Sequence, residues 1–255
     1  MGKTTTVVNT AAALAAIGLK VTVLDLDPQA HLTIHLGTEP ENIDSGSYKL
    51  LTQSAKFEEE ILLVRPNLWL LPANINLVGA ESELVTVVGR ETILRQALQS
   101  VQDKFDYAFI DCPPSLGLLT LNALVATSEV LIPIQCEYYA LEGVSQLMKN
   151  IEMVKAHLNP GLEVSTVVLT MHDGRTKLAD QVAGEVRRYF GDKVLRSVIP
   201  RSVKVSEAPG YSMTIIDYDP GSRGAMSYLD ASRELAFRPA IRTGSEGPIN
   251  REAQP

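Results

Sequence analysis

Short apolar stretches alternate along the chain with longer segments whose apolar positions recur every three or four residues, which predicts repeated strand and helix units. Strands are expected at 21–25, 68–71, 107–111, 130–134, 164–170 and 194–199. Helices are expected at 5–17, which is rich in alanine, and at 91–101, 118–126, 143–158, 177–189 and 225–236. Apolar strands flanked by amphipathic helices imply a doubly wound, mostly parallel α/β sheet with helices on both faces. Ligands of such sheets gather beyond the carboxyl ends of the strands. One domain is expected over 1–237, with no internal repeat. The stretch 238–255, with Pro239, Gly244, Gly247, Pro248 and Pro255, has neither periodicity nor enough apolar residues to pack and is expected to be a disordered tail.

Composition narrows the class without changing the fold. The 255 residues are 45% hydrophobic and 21% charged, the balance of a water-soluble α/β protein. Neither a membrane-length apolar run nor a secretory leader is evident, so the chain is expected in the cytoplasm. Cys112 and Cys136 sit at the ends of expected strands and read as reduced, buried thiols. The net charge of -7 argues against a wholly nucleic-acid-coating surface. Its distribution is uneven, however: Arg175, Lys177, Arg187, Arg188, Lys193, Arg196, Arg201 and Lys204 face only Asp180, Glu185 and Asp192 in one short segment. Such a local excess is the footprint of phosphate-backbone contacts, and its plain alternative is a solvated helix face with ordinary ion pairs.

The candidate chemistry lies at strand ends. Gly2-Lys3-Thr4 opens directly into the alanine-rich helix, where backbone N–H groups and the helix dipole favour phosphate. Lys3 is then placed to reach the β- and γ-phosphates and Thr4 to ligate Mg²⁺. Alone, the tripeptide also fits a plain helix start. Two further features support the ligand reading: Asp25 and Asp27 close one strand, and Asp111 closes another in the form of a Walker B carboxylate. One aspartate could simply cap a helix; three beside a Gly-Lys-Thr turn point to a phosphate and metal site.

These motifs, with Asp-Leu-Asp-Pro-Gln at 25–29, Ile-Asp-Cys-Pro-Pro-Ser-Leu-Gly at 110–117, Gln-Cys-Glu-Tyr-Tyr-Ala-Leu-Glu-Gly at 135–143 and Ile-Pro-Arg-Ser-Val-Lys-Val-Ser-Glu-Ala-Pro at 199–209, resemble the ParA/Soj branch of the deviant Walker A ATPases. The resemblance implies an ATP- and Mg²⁺-dependent P-loop ATPase that partitions DNA. Gly2, Lys3, Thr4 and Thr5 would form the nucleotide cradle, with Lys3 also catalytic. Asp27 would orient the attacking water, Thr4, Asp25 and Asp111 would support the Mg²⁺ shell, partly through water, and Pro200 with Ser202 would lie against the adenine. Many relatives carry Asn where Ser202 stands. The resemblance further implies an ATP-dependent homodimer, a DNA-bound activator of the ParB type, and association with the nucleoid through non-specific DNA binding, with Arg175 and Lys204 first among the contacts and Arg187, Arg188, Lys193 and Arg201 beside them.

Rivals within the fold fit less well. A MinD-like membrane ATPase would end in a basic amphipathic helix, which the proline-containing tail does not supply. A relative of the nitrogenase iron protein would present cluster-binding cysteines, whereas Cys112 and Cys136 fall inside motifs that need no cluster. A scaffold that positions another cargo, or binds nucleotide without hydrolysing it, is disfavoured by Asp27. His31 and His35 have the i, i+4 spacing of a metal pair but no evident third ligand, so they are expected to be ordinary helix-surface histidines. Glu137, Tyr138 and Tyr139 are candidates for a dimer or partner face. The family's P-loop reads Lys-Gly-Gly-Val-Gly-Lys-Thr-Thr after a strand, and Met1 stands at its Val. The expectation is therefore a chain lacking its first strand, from a mis-assigned start codon, with impaired ATPase activity if the truncation is real.

Overall fold

The computed structural model describes residues 2–44, 46–138 and 140–238. In chain order the helices and strands are α1 (Lys3–Ala16), β1 (Val21–Asp25), α2 (His31–His35), α3 (Ser47–Leu51), α4 (Phe57–Glu60), β2 (Leu62–Arg65), β3 (Leu68–Leu71), α5 (Leu77–Leu84), α6 (Ile93–Leu98) and β4 (Tyr107–Asp111). They continue with α7 (Leu118–Ala126), β5 (Glu129–Gln135), α8 (Ala140–His157), β6 (Glu163–His172), α9 (Lys177–Phe190), β7 (Val194–Pro200), α10 (Val203–Glu207), α11 (Ile215–Tyr218) and α12 (Arg223–Phe237). The expected tail lies outside the described residues from position 239 on.

The strands form two sheets, ordered β2-β3-β1-β4 and β5-β6-β7. Every pairing is parallel except that of β2, which runs antiparallel on the edge of β3. The ladders end at β4 on one side and at β5 on the other, and Ala108 in β4 is exposed. Alternation along each strand sends side chains to opposite faces. Val21 and Val23 of β1 pack with Val8, Ala11 and Leu14 of α1, whereas Leu24 joins the cluster built on α3, α5, α6 and α7. In β6, Val167 and Leu169 meet α8 and α9, whereas Val168 meets Ala225, Tyr228 and Ala231 of α12. Helices therefore cover both faces, the doubly wound α/β arrangement expected from the sequence.

The alanines of α1 allow close approach, so the helix is buried almost throughout and lies against α12. Asn9 in its middle ties two elements together: its amide donates to the Thr5 carbonyl at 2.8 Å and its oxygen accepts from Ile215 N–H at 2.8 Å. Gly46 is required before α3, because its φ is 93° and a Cβ there would collide with the Pro72 carbonyl.

Several expectations change. The edge strand β2 was not expected: Leu62 and Leu63 are both exposed, so it lacks the buried apolar face that marks β3. The short helices α2, α3, α4, α5, α10 and α11 were not expected either, since at four to eight residues they hold too little helical period to read. The helix expected at 91–101 is a 3-10 turn at Arg90–Thr92 followed by α6 alone. His35 is not a surface residue: only 3% of it is exposed, and its Nε2 pairs with the Met213 carbonyl at 3.0 Å. His31 is exposed.

Burial holds the His35 pKa down at about 4, against the usual 6.5. A group whose folded pKa is depressed below its unfolded value is neutral in the native state, and the unfolded chain binds the extra proton between the two values. Its contribution to stability is therefore complete above about pH 6.5 and lost as the pH falls toward 4, by up to about 3 kcal/mol. Buried aspartates with raised pKa values slope the opposite way, so the difference between wild type and His35→Gln isolates the effect. Denaturant unfolding across pH 4–7 should show the wild-type advantage shrinking as the pH falls, and a flat difference would contradict the assignment.

Candidate nucleotide site

The carboxyl ends of β1 and β4 lie side by side because the two strands pair in parallel register, Asp25 opposite Asp111. Above them α1 begins. Gly2 takes a left-handed conformation, φ 72° and ψ 19°, so the chain turns into the helix at once and leaves the N–H groups of its first turn without intrahelical partners. No acidic residue occupies that first turn. The site is thus ready for an anion, and a cation is supported next to it: the Thr4 hydroxyl donates to Asp111 Oδ2 at 2.6 Å.

Electrostatics bind the cluster. Asp111 is 2% exposed and pushed up to about 6, chiefly by burial, with the Thr4 hydrogen bond and the Lys3 charge opposing and Asp27 adding to the rise. Asp25 is fully buried and pushed up to about 7, again chiefly by burial, with hydrogen bonds from Thr33 opposing and Asp111 adding to the rise. Two buried carboxylates side by side favour a bound cation, which offsets both their burial and the repulsion between neighbouring charges. Asp27 is half-buried at the edge of the cluster, its Oδ1 held by Gln29 N–H at 3.0 Å. Cys112 is pushed up to about 12, chiefly by burial, which makes it an inert thiol.

The donor set suits Mg²⁺. This ion keeps several waters and binds through one or two carboxylates plus substrate phosphates rather than in an all-protein cage. Thr4 and Asp111 supply that minimum, and among the described residues no three His, Cys, Asp or Glu side chains group as a cage. Asp25 spends its oxygens on Thr33 and on Asp27 N–H, so its support of a metal shell is indirect.

A second candidate region lies at β6 and β7. A cleft of about 320 Å³ is lined by His172, Val198, Pro200, Gly221, Arg223, Met226 and Ser227. Pro200 lines this cleft, and the Ser202 hydroxyl, outside its lining, caps α10 by accepting from Val205 N–H at 3.5 Å. Two residues before His172, the Thr170 hydroxyl is buried without a hydrogen-bond partner and lies 3.9 Å from where a Cβ on Gly2 would stand. Sequence reasoning did not find Thr170, Arg223 or Met226, which no motif marks. A larger, apolar hollow of about 480 Å³ between α5, α7 and α8 carries none of the phosphate-site groups.

Comparison with known proteins fits this geometry. A family described as an AAA domain matches residues 1–164. Over 237 residues the chain is 51% identical to the sporulation initiation inhibitor protein Soj of Bacillus subtilis, covering 92% of this chain and 94% of Soj. It is 47% identical over 242 residues to the chromosome partitioning protein ParA of Myxococcus xanthus, covering 93% of this chain and 84% of ParA. The chain belongs to the ParA/Soj family. A solved structure of similar fold, a cobyrinic acid a,c-diamide synthase of Mycobacterium smegmatis with bound ADP and magnesium, is 36% identical with a TM-score of 0.81 and covers 92% of this chain and 89% of its own.

Within this ParA/Soj chain, the basic residues expected to meet DNA fall into two groups. Arg175 and Arg201 stand near the carboxyl ends of β6 and β7, where Arg201 N–H donates to the His172 carbonyl at 3.0 Å, and Lys204 follows in α10. Arg187 and Arg188 lie in the last turn of α9 and Lys193 just beyond, at the far end of a helix about 20 Å long. All six are exposed. The first group is paired: Arg175 forks onto Asp173 at 2.8 and 2.7 Å, Arg201 meets Glu137 at 2.5 Å, and Lys204 meets Glu207 at 3.4 Å while lying over the Tyr218 ring. The hydrogen bonds from Arg175 hold the Asp173 carboxyl well below the usual carboxylate range. Glu137 therefore faces Arg201; Tyr138 is exposed, and Tyr139 lies outside the described residues.

Proposed function

We propose that the chain is a partitioning ATPase that binds MgATP at the α1 terminus, hydrolyses it slowly, and uses the cycle to position DNA. The observation that carries this reading is the 2.6 Å contact between Thr4 and Asp111 at a helix start, with Asp27 beside it. Backbone N–H groups of Gly2 to Thr5 and the Lys3 ammonium would hold the phosphates, and Pro200 would lie against the base. Mg²⁺, when bound, would supply neutralisation of the charge that builds up during phosphoryl transfer. Thr4 and Asp111 would hold that ion in place. Asp27 would accept a hydrogen bond from the attacking water and align it with the phosphorus, a task of positioning that needs no strong base.

Hydrolysis removes the γ-phosphate and with it the contacts that favour one assembly, so the site acts as a switch. The relatives named Soj and ParA support the partitioning role, with an ATP-dependent homodimer, a ParB-type activator and nucleoid association as parts of the proposal. Among the described residues no helix is long and apolar enough to cross a membrane. DNA is proposed to bind without sequence preference at Arg175, Arg201 and Lys204, with Arg187, Arg188 and Lys193 as a second contact region. Phosphates there would compete with Asp173, Glu137 and Glu207 for the cations.

Asp27→Ala leaves the phosphate cradle intact and removes only the water contact. ATP affinity, measured by calorimetry with MgATP, should stay within about threefold of wild type while turnover falls at least about a hundredfold. Wild-type turnover in this variant would refute the role of Asp27.

Replacing Arg175 and Lys204 together with Glu should weaken binding to unrelated DNA sequences alike and reduce the slope of log K against log salt by about two. A loss confined to one sequence, or an unchanged slope, would count against this surface.

A further inference from the structure

The candidate site has one buried side chain that belongs to no phosphate or metal motif yet connects to its proposed water-aligning group. Thr33, in α2, is fully buried. Its N–H and its hydroxyl both donate to Asp25 Oδ2, at 2.9 and 2.7 Å. The same hydroxyl accepts from Ala73 N–H at 3.0 Å, just past the end of β3. The other Asp25 oxygen accepts from Asp27 N–H at 3.1 Å. A continuous chain of hydrogen bonds therefore runs from the backbone after β3, through the Thr33 hydroxyl and the Asp25 carboxylate, to the backbone of Asp27.

The chain closes the segment from Asp25 to Thr33 into a ring. Leu26 N–H is held by the Asp111 carbonyl at 3.0 Å and Ala30 N–H by the Asp27 carbonyl at 2.8 Å, so the ring is fixed at both ends and in the middle. Ala30 adopts a left-handed conformation, φ 53°, which a non-glycine residue keeps only when its surroundings impose it. Within this ring Asp25 is fully buried, whereas Asp27 is half-buried and its charge acts on Asp111. An error of about 1 Å in such a group is enough to cost about a hundredfold in rate, so a device that sets its position matters to turnover more than to binding.

We propose that Thr33 is a positioning residue for hydrolysis, which holds Asp27 in line with the attacking water by fixing the Asp25 carboxylate. The proposal rests on the reading of Asp27 given above. Thr33 needs to be both donor and acceptor, and serine retains both functions while valine keeps the shape and loses them.

The test is MgATP turnover and nucleotide affinity of Thr33→Val and Thr33→Ser beside Asp27→Ala, with thermal unfolding to verify the fold. Thr33→Val should lower kcat by about tenfold to a hundredfold with nucleotide affinity within about threefold of wild type, and Thr33→Ser should restore kcat to within about threefold. A Thr33→Val enzyme that folds and turns over like wild type overturns the proposal, as does one in which affinity falls as far as kcat, the result of a general disturbance of the site. Should Thr33→Val fail to fold, Thr33→Ala takes its place beside Thr33→Ser: a loss of kcat of about tenfold or more at unchanged affinity in Thr33→Ala that is absent in Thr33→Ser supports the role, and wild-type turnover in Thr33→Ala overturns it. Full turnover in Asp27→Ala refutes the parent reading instead, so the two failures are distinguishable.

Discussion

The parallel pairing of β1 with β4 is the constraint on which the rest of the site depends. Register places Asp25 opposite Asp111, two carboxylates that would repel each other unless something separates their tasks. Neighbours do so. Asp111 accepts from Thr4 at the start of α1, whereas Asp25 is consumed by Thr33 and Asp27 N–H. One carboxylate is left for a cation and the other becomes a structural post. Antiparallel pairing of the same strands would have put their aspartates at opposite edges of the sheet.

Helix α1 completes this arrangement because its composition lets it sit where its N-terminus must be. Small residues bury it between the sheet and α12, while Asn9 and Ser232 join it to the far end of the chain through bonds to Ile215 N–H and the Thr10 carbonyl. The terminus is then carried by a helix fixed along its whole length. Rigid support of this kind lets backbone N–H groups act as phosphate ligands without reorganising.

Strand ends and helix faces were legible in the sequence because they follow from local period: β1, β3, β4 and α7 have the bounds that the apolar pattern predicts. The grouping of Gly2, Lys3, Thr4, Asp25, Asp27 and Asp111 was legible for the same reason, since a parallel sheet brings the ends of its strands to one edge. Long-range side-chain partnerships were not. Thr33 bonding to Ala73, His35 to Met213 and Asn9 to Ile215 span separations of 40 to 206 residues, and nothing in a local pattern marks them. The basic segment illustrates the same limit, because a count of charges cannot show that α9 carries its members to opposite ends or that Asp173, Glu137 and Glu207 already pair with three of them.

The most direct test of the account is to locate the metal. In a crystal of the protein grown with ADP and Mn²⁺ in place of Mg²⁺, the anomalous signal should lie about 2.1 to 2.2 Å from the Thr4 hydroxyl, with Asp111 reached directly or through one water and the phosphates over the first turn of α1. A metal and phosphates bound away from Thr4 and Asp111 would contradict it.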